Sequence, residues 1–230
     1  MNIYYLVRND RQNKNNTGFF NKFRGQIKTF LNLGDVIFIY KETGRFYAEY
    51  NCREGKSITR KISISGKAVF NHLFYYHYIT KLFNDNPPSV IYIRYKISEP
   101  TFLIFLWFVK NKYKDCRIFV EFPTFPYDKN WMEESFIKRL CLPVDRLFRT
   151  QLYRFVDYAV NYTKNENIFN INTICIKNGI SINDIPMRKP APDKKEDLVL
   201  IGVAGISYWH GFDRIITGLS EYYSNSNNKR

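Results

Sequence analysis

Short apolar runs recur along this chain, separated by stretches with helical spacing. Residues 3–7 (IYYLV) are continuously apolar, as in a strand buried on both faces of a parallel sheet. An Asn-rich polar loop follows. Phe19, Phe23, Ile27 and Phe30 then recur at helical spacing with Leu31 beside them, which predicts a helix over 19–31 ended by Gly34. Residues 35–40 (DVIFIY) form the next strand, and strand, loop, helix, strand is the first crossover of a doubly wound α/β sheet. Residues 45–65 are polar and basic. The alternation RKISIS at 60–65 predicts an antiparallel or edge strand. An aromatic-rich helix is expected over 68–83. Its His72 and His77 lie five apart, off a common face, which suits packing or solvent better than metal.

After a turn at 84–88, VIYIRY at 90–95 is another buried strand with Arg94 near its carboxyl end, and Pro100 opens a helix over 101–113. Residues 117–120 (RIFV) are strand-like, and Glu121 stands where that strand would end. Pro123 and Pro126 lack backbone donors and fix φ, so a rigid loop must follow, carrying Thr124, Tyr127 and Asp128. Ligands of open α/β sheets collect at such carboxyl ends. An ordinary strand-to-loop exit with chance polar residues fits the stretch equally well. A helix over 131–142 should stop at Pro143. Within 145–156, Phe148, Leu152, Phe155 and Val156 share one arc while Arg146 and Arg154 lie opposite. That reads as a core-facing helix with a solvated basic back, or as a contact for anionic lipid headgroups.

Strands are expected at 158–161 and 173–177, the latter closed by Asn178-Gly179. Pro186, Pro190 and Pro192 among charges mark an interdomain linker over 181–197. A new strand at 198–203, a loop at 204–211 and a helix over 213–223 would begin a second domain. The expected organisation is thus a Rossmann-like, mostly parallel domain over 1–180, the linker, and a truncated second Rossmann-like domain over 198–230.

Composition sharpens this. With 230 residues and 45% hydrophobic content, a packed core is within reach. The formal charge of +14 favours an anionic partner such as nucleic acid, an anionic membrane surface or a phosphorylated ligand. Cys52, Cys116, Cys141 and Cys175 are widely spaced, without C-x-x-C, which points to a reduced cytosolic chain and to no metal or cofactor. No signal peptide precedes the first strand, and the longest apolar run, 102–109, is far short of a membrane span. G-x-G-x-x-G and G-x-x-x-x-G-K-[ST] are both absent, which disfavours a standard dinucleotide enzyme or P-loop NTPase. Gly18, before a helix start, could still let a backbone approach an anion.

Four stretches carry a resemblance: VIYIRY (90–95), VEFPTFPYD (120–128), KNGI (177–180) and GVAGISYWHGFDRIITG (202–218). In that order and spacing the chain resembles the family-4-like GT-B glycosyltransferases of bacterial surface polysaccharide synthesis. The resemblance implies two Rossmann-like domains across a cleft, an acceptor-side one and a nucleotide-sugar-side one. It implies retaining transfer from a nucleotide-sugar donor to a lipid-linked saccharide acceptor, in the cytoplasm and peripherally on the inner face of the cell membrane. Carried over, Glu121 stands where many relatives place a cleft-facing histidine and is the catalytic candidate, with Arg94, Thr124, Tyr127 and Asp128 lining the acceptor side. Gly18 matches the glycine-bearing loop near the donor phosphates, and His210 and Gly211 stand where relatives often have a lysine-glycine pair near the diphosphate. The chain departs from the pattern at Val203 and Ala204, where a second basic residue is usual, and it lacks the paired-glutamate segment. The resemblance therefore implies a chain inactive on its own. Two alternatives stay open: a non-catalytic half that binds acceptor or pairs with a separate donor-binding chain, and a basic nucleic-acid-binding protein. The latter is disfavoured because aromatics such as Tyr92 and Tyr95 sit in apolar strands.

Overall fold

A computed structural model describes residues 1–13, 17–62, 74–134, 136–177, 179, 200 and 211–225. Two compact units divide the chain, Met1–Ile182 and Asn183–Arg230. In the first unit the described elements run β1 (Asn2–Asp10), α1 (Thr17–Leu31), β2 (Asp35–Glu42), β3 (Arg45–Asn51), β4 (Ser57–Lys61) and α2 (Tyr75–Leu82). They continue with β5 (Val90–Arg94), α3 (Pro100–Lys112), β6 (Arg117–Phe122), α4 (Asp128–Glu134) and α5 (Phe136–Arg149). A 3₁₀ turn (Leu152–Arg154) and strands β7 (Tyr158–Asn161), β8 (Asn167–Ile168) and β9 (Ile171–Cys175) complete it. The second unit contributes α6 (Phe212–Ser224). The expected strand at 198–203 and the linker at 181–197 lie outside the described residues, apart from Leu200.

The protein is α/β. Its nine strands form one sheet in the order β4-β3-β2-β1-β5-β6-β7-β9-β8. The run from β2 through β9 is parallel, while β3, β4 and β8 are antiparallel additions. This arrangement is compatible with a Rossmann-like fold. From β1 the chain first moves outward to β2, β3 and β4, then returns to lay β5 on the other side of β1. The order of strands reverses there, and that reversal opens a crevice at the carboxyl ends of β1 and β5.

Helices cover both faces, so the central strands are apolar on both sides. One core packs Phe20, Phe23 and Ile27 of α1 on Ile3, Tyr5, Val36, Phe38 and Tyr92. The other packs α2 and α3 on the alternate residues of the same strands, among them Tyr4, Leu6, Ile91, Ile93, Ile118 and Val120. Tyr5 lies edge-on to Phe23, Phe30 and Tyr92 at centroid distances of 5.7, 5.9 and 5.3 Å. Much of the aromatic content is thus spent inside the protein, including Tyr92 and Tyr95, each 7% exposed.

Four local expectations change. The helix expected to stop at Pro143 runs through it to Arg149. Pro143 gives up one backbone donor, but its ring faces solvent while Leu142 and Asp145 on the opposite side are buried. The helix expected from Trp131 begins earlier, at Asp128, where α4 starts; α5 follows from Phe136, and residue 135 lies outside the described residues. The amphipathic stretch 145–156 is not one helix: it is the end of α5 followed by a 3₁₀ turn. Its apolar arc does turn inward, with Leu152 and Val156 buried. Further upstream, the edge strand starts earlier than the expected 60–65, at Ser57, and runs to Lys61; residues 63–73, with the rest of that stretch and His72, lie outside the described residues. His77 is exposed on α2.

Helix α3 is apolar all round, yet it buries only Phe102, Phe105, Leu106 and Val109 while Ile104 and Trp107 face outward. Leu106→Ala should therefore lower unfolding free energy by about 2–5 kcal/mol. Ile104→Ala should change it by no more than about 0.5 kcal/mol. Denaturant unfolding of both variants checks this, and equal costs would mean that α3 is buried on a different face.

Candidate functional site

Side chains alternate across a strand, so Tyr92 and Arg94 of β5 share the α1 face, as do Phe119 and Glu121 of β6. Parallel pairing sets Arg94 directly beside Glu121. Glu121 is fully buried, its side chain 0% exposed. Its Oε1 accepts from the Arg94 guanidinium at 2.5 Å, the Tyr162 hydroxyl at 2.7 Å and Lys22 Nζ at 3.3 Å. Its Oε2 accepts from the Tyr92 hydroxyl at 2.9 Å and Gln26 Nε2 at 3.4 Å. Lys22 also donates to the Tyr162 hydroxyl, and Arg94 lies over the rings of Phe19 and Phe23. Lys22 and Gln26 are four residues apart on α1, the spacing that puts two side chains on one face.

Charge accounting gives this cluster its character. Burial pushes the Glu121 carboxyl up, but Arg94, the Tyr162 hydroxyl, Lys22 and the Tyr92 hydroxyl together hold it below the ordinary value, so it stays ionised. Lys22 moves the other way. Loss of water lowers it, and the neighbouring Arg94 charge lowers it further against the attraction of Glu121. The two directions are consistent, because two cations share one carboxylate and the pair's surplus positive charge falls on them. Tyr92 and Tyr162 are both raised, first by burial and then by the Glu121 charge, and remain neutral donors.

On the opposite face of the sheet, Arg8 near the end of β1 pairs with Glu99 at 2.6 Å and lies over Tyr75 and Tyr76. Its Nε is buried without a hydrogen-bond partner among the described residues. Arg8 lines a small hollow of about 10 Å³ with Arg94, Tyr95, Lys96 and Ile97, at the crevice between β1 and β5. That volume suits a single water.

The proline loop after β6 is held on the same side. Asp145 of α5 is fully buried and accepts from the Ser98 amide at 2.7 Å, the Tyr127 hydroxyl at 2.6 Å and the Tyr95 hydroxyl. Asp128 opens α4 and takes Arg149 at 2.5 and 3.1 Å and Arg146 at 3.0 Å. The Arg149 hydrogen bonds hold the Asp128 carboxyl below its ordinary value. Arg149 also lies over the Phe169 ring at 4.7 Å, and Phe169 has φ +51, a left-handed backbone rare for a bulky residue. Packing of that ring on Phe122 and Phe125 secures the conformation.

Of the residues singled out in the sequence, Arg94 and Glu121 are in direct contact, and Tyr127 and Asp128 meet through Arg149 and Asp145. Glu121 is the penultimate residue of β6, and its carboxylate faces α1 instead of solvent. Thr124 is exposed on the loop. Gly18 is the second residue of α1, exposed, with nothing within 4 Å of where a Cβ would stand. Gly211 caps α6 at φ +68, where a Cβ would meet the Arg214 side chain at 2.8 Å. His210 lies outside the described residues. Lys22, Gln26, Tyr162, Asp145 and Arg149 were not recognised as partners. The i,i+4 pairs Lys22/Gln26 and Asp145/Arg149 were the available signal. No family model, curated protein or solved structure matches the chain.

Glu121→Gln leaves Arg94 and Lys22 without their counter-charge and should cost about 3–5 kcal/mol of stability at neutral pH. The parent's contribution is present above the unfolded carboxyl value, about 4.3, and is lost as pH falls through the depressed folded value. Denaturant unfolding of both proteins should therefore show a gap that narrows below about pH 4. A gap unchanged with pH would mean that Glu121 is not the ionised partner.

Proposed function

We propose that this chain is the acceptor-side part of a retaining, GT-B type glycosyltransferase, which passes a sugar from a nucleotide-sugar to a lipid-linked saccharide. The observation that carries this reading is the surplus positive charge at the carboxyl edge of the parallel sheet. Lys22 and Arg94 share the single carboxylate of Glu121, and Lys22 is still partly open to solvent. An acceptor bearing a diphosphate has the complementary charge, and the switch between β1 and β5 is where open α/β sheets hold ligands. The order of the resembling motifs along the sequence supports the same assignment.

In this reading Glu121 is a positioning residue. Held ionised by five donors, it fixes where Arg94 and Lys22 stand. The cations in turn fix the acceptor's diphosphate, so that the saccharide hydroxyl is presented in one orientation to the donor's anomeric carbon. Orientation of this kind, with stabilisation of the departing diphosphate, supplies most of the rate in such transfers. The donor-side residues implied by the resemblance, His210 and Gly211, belong to the second unit.

Titration calorimetry with a water-soluble, short-prenyl diphosphate-linked sugar tests the proposal. The chain should bind it saturably, and more weakly as salt rises. Lys22→Ala keeps the Arg94–Glu121 pair, so it should stay folded while losing about tenfold or more in affinity. Absence of saturable binding, or equal binding by the variant, overturns the assignment.

A further inference from the structure

Arg8 stands where three elements meet. It lies late in β1, and its guanidinium is over the rings of Tyr75 and Tyr76 of α2, at 5.0 Å from each. Its Nη2 donates at 2.6 Å to Glu99, the residue that precedes α3. The Arg8 side chain is only 8% exposed. Among the buried side-chain nitrogens and oxygens of the described residues, its Nε alone has no hydrogen-bond partner. A buried donor left unmet forfeits its hydration without return, and more so in a charged group, so this position calls for an acceptor.

The space beside Arg8 limits the size of that acceptor. β1 and β5 pair as far as Leu6 and Ile93, and the hollow at their carboxyl ends is about 10 Å³. Leu6, Arg8, Ile93, Tyr95 and Lys96 line it, with Phe102 from the first turn of α3. It admits one occupant of about atomic size and is too small for a phosphate or a sugar.

Charge decides between a water and an ion. No carboxylate residue lines the hollow. Of the acids around it, Glu99 is engaged by Arg8, and Glu121 faces α1 across the sheet with Arg94 and Lys22. Asp145 is held by Tyr95, Tyr127, the Ser98 amide and Arg149. Against Glu99 stand Arg8 and Lys96, together with the positive end of α3, whose first turn carries no acid. The balance at the hollow is positive. A water there would need partners for its own protons, whereas a monatomic anion only accepts.

We propose that the hollow beside Arg8 is a site for a single monovalent anion of chloride size, which accepts from Arg8 Nε. The ion completes the hydrogen bonding of the guanidinium that joins β1 to α2 and α3, and so fixes both helices on the sheet. Arg8 takes no part in the Glu121 cluster, so the site stands apart from the transfer reading.

Thermal unfolding in sodium chloride tests this without any sugar or nucleotide. Sodium gluconate, whose anion is too large for the hollow, keeps ionic strength constant, so that general screening does not change. The midpoint should rise saturably with chloride, by about 3–6 °C at ten times the dissociation constant. Arg8→Gln removes Nε and its charge and should lose the chloride-dependent rise, whatever its stability in gluconate. In crystals of the parent grown with sodium bromide, an anomalous peak should lie within hydrogen-bond distance of Arg8 Nε. That peak decides the matter even if the variant does not fold. The proposal is overturned by a water at that position under bromide, by no saturable rise in the parent, or by an equal rise in the variant.

Discussion

A buried carboxylate must be surrounded by donors or lose its charge, and Glu121 meets that demand with residues from three separate parts of the chain. Arg94 comes from β5, Lys22 and Gln26 from α1, Tyr92 from β5 again, and Tyr162 from just beyond β7. The cluster therefore works only if β5, β6 and β7 are in register and α1 lies at one fixed height on the sheet. A slip of one residue would turn Glu121 to the opposite face, among Ile118, Val120 and Phe122, where only apolar neighbours wait. The polar cluster thus specifies the arrangement that the apolar cores merely favour.

The opposite face uses the same device for another purpose. Asp145 gathers Tyr95, Ser98 and Tyr127, while Asp128 gathers Arg146 and Arg149. Together they fasten the proline loop after β6 to α5. With the inner face of α5 fixed in this way, the helix continues through Pro143, whose ring needs only to point outward. The cost of that anchoring is an outer stripe of Phe136, Leu140, Val144 and Leu147 that nothing in the described first unit covers.

Two features then lie on one molecule: a sheet edge where cations outnumber the carboxylate they share, and a basic-flanked apolar helix face.

The alternation and spacing of apolar residues determined much of the fold. IYYLV, DVIFIY and VIYIRY could only be buried strands, and the interval between the first two, with Phe19, Phe23 and Ile27 in phase, required a crossover helix. Arg94 and Glu121 were visible as polar residues late in apolar strands. Their partners were not, because Lys22 is 99 residues from Glu121 and Tyr162 is 41 away, and no local pattern reports which distant strand comes to lie alongside. The fate of Pro143 was equally hidden. Proline's local preference is to stop a helix, and only the contacts of Leu142 and Asp145 on the other side outweigh it. Local sequence thus fixed which segments were strands and helices, through steric preference and hydrophobic period. Register, and with it the burial of Glu121 and the exposure of the α5 stripe, was decided by tertiary packing, since those depend on which distant surfaces meet.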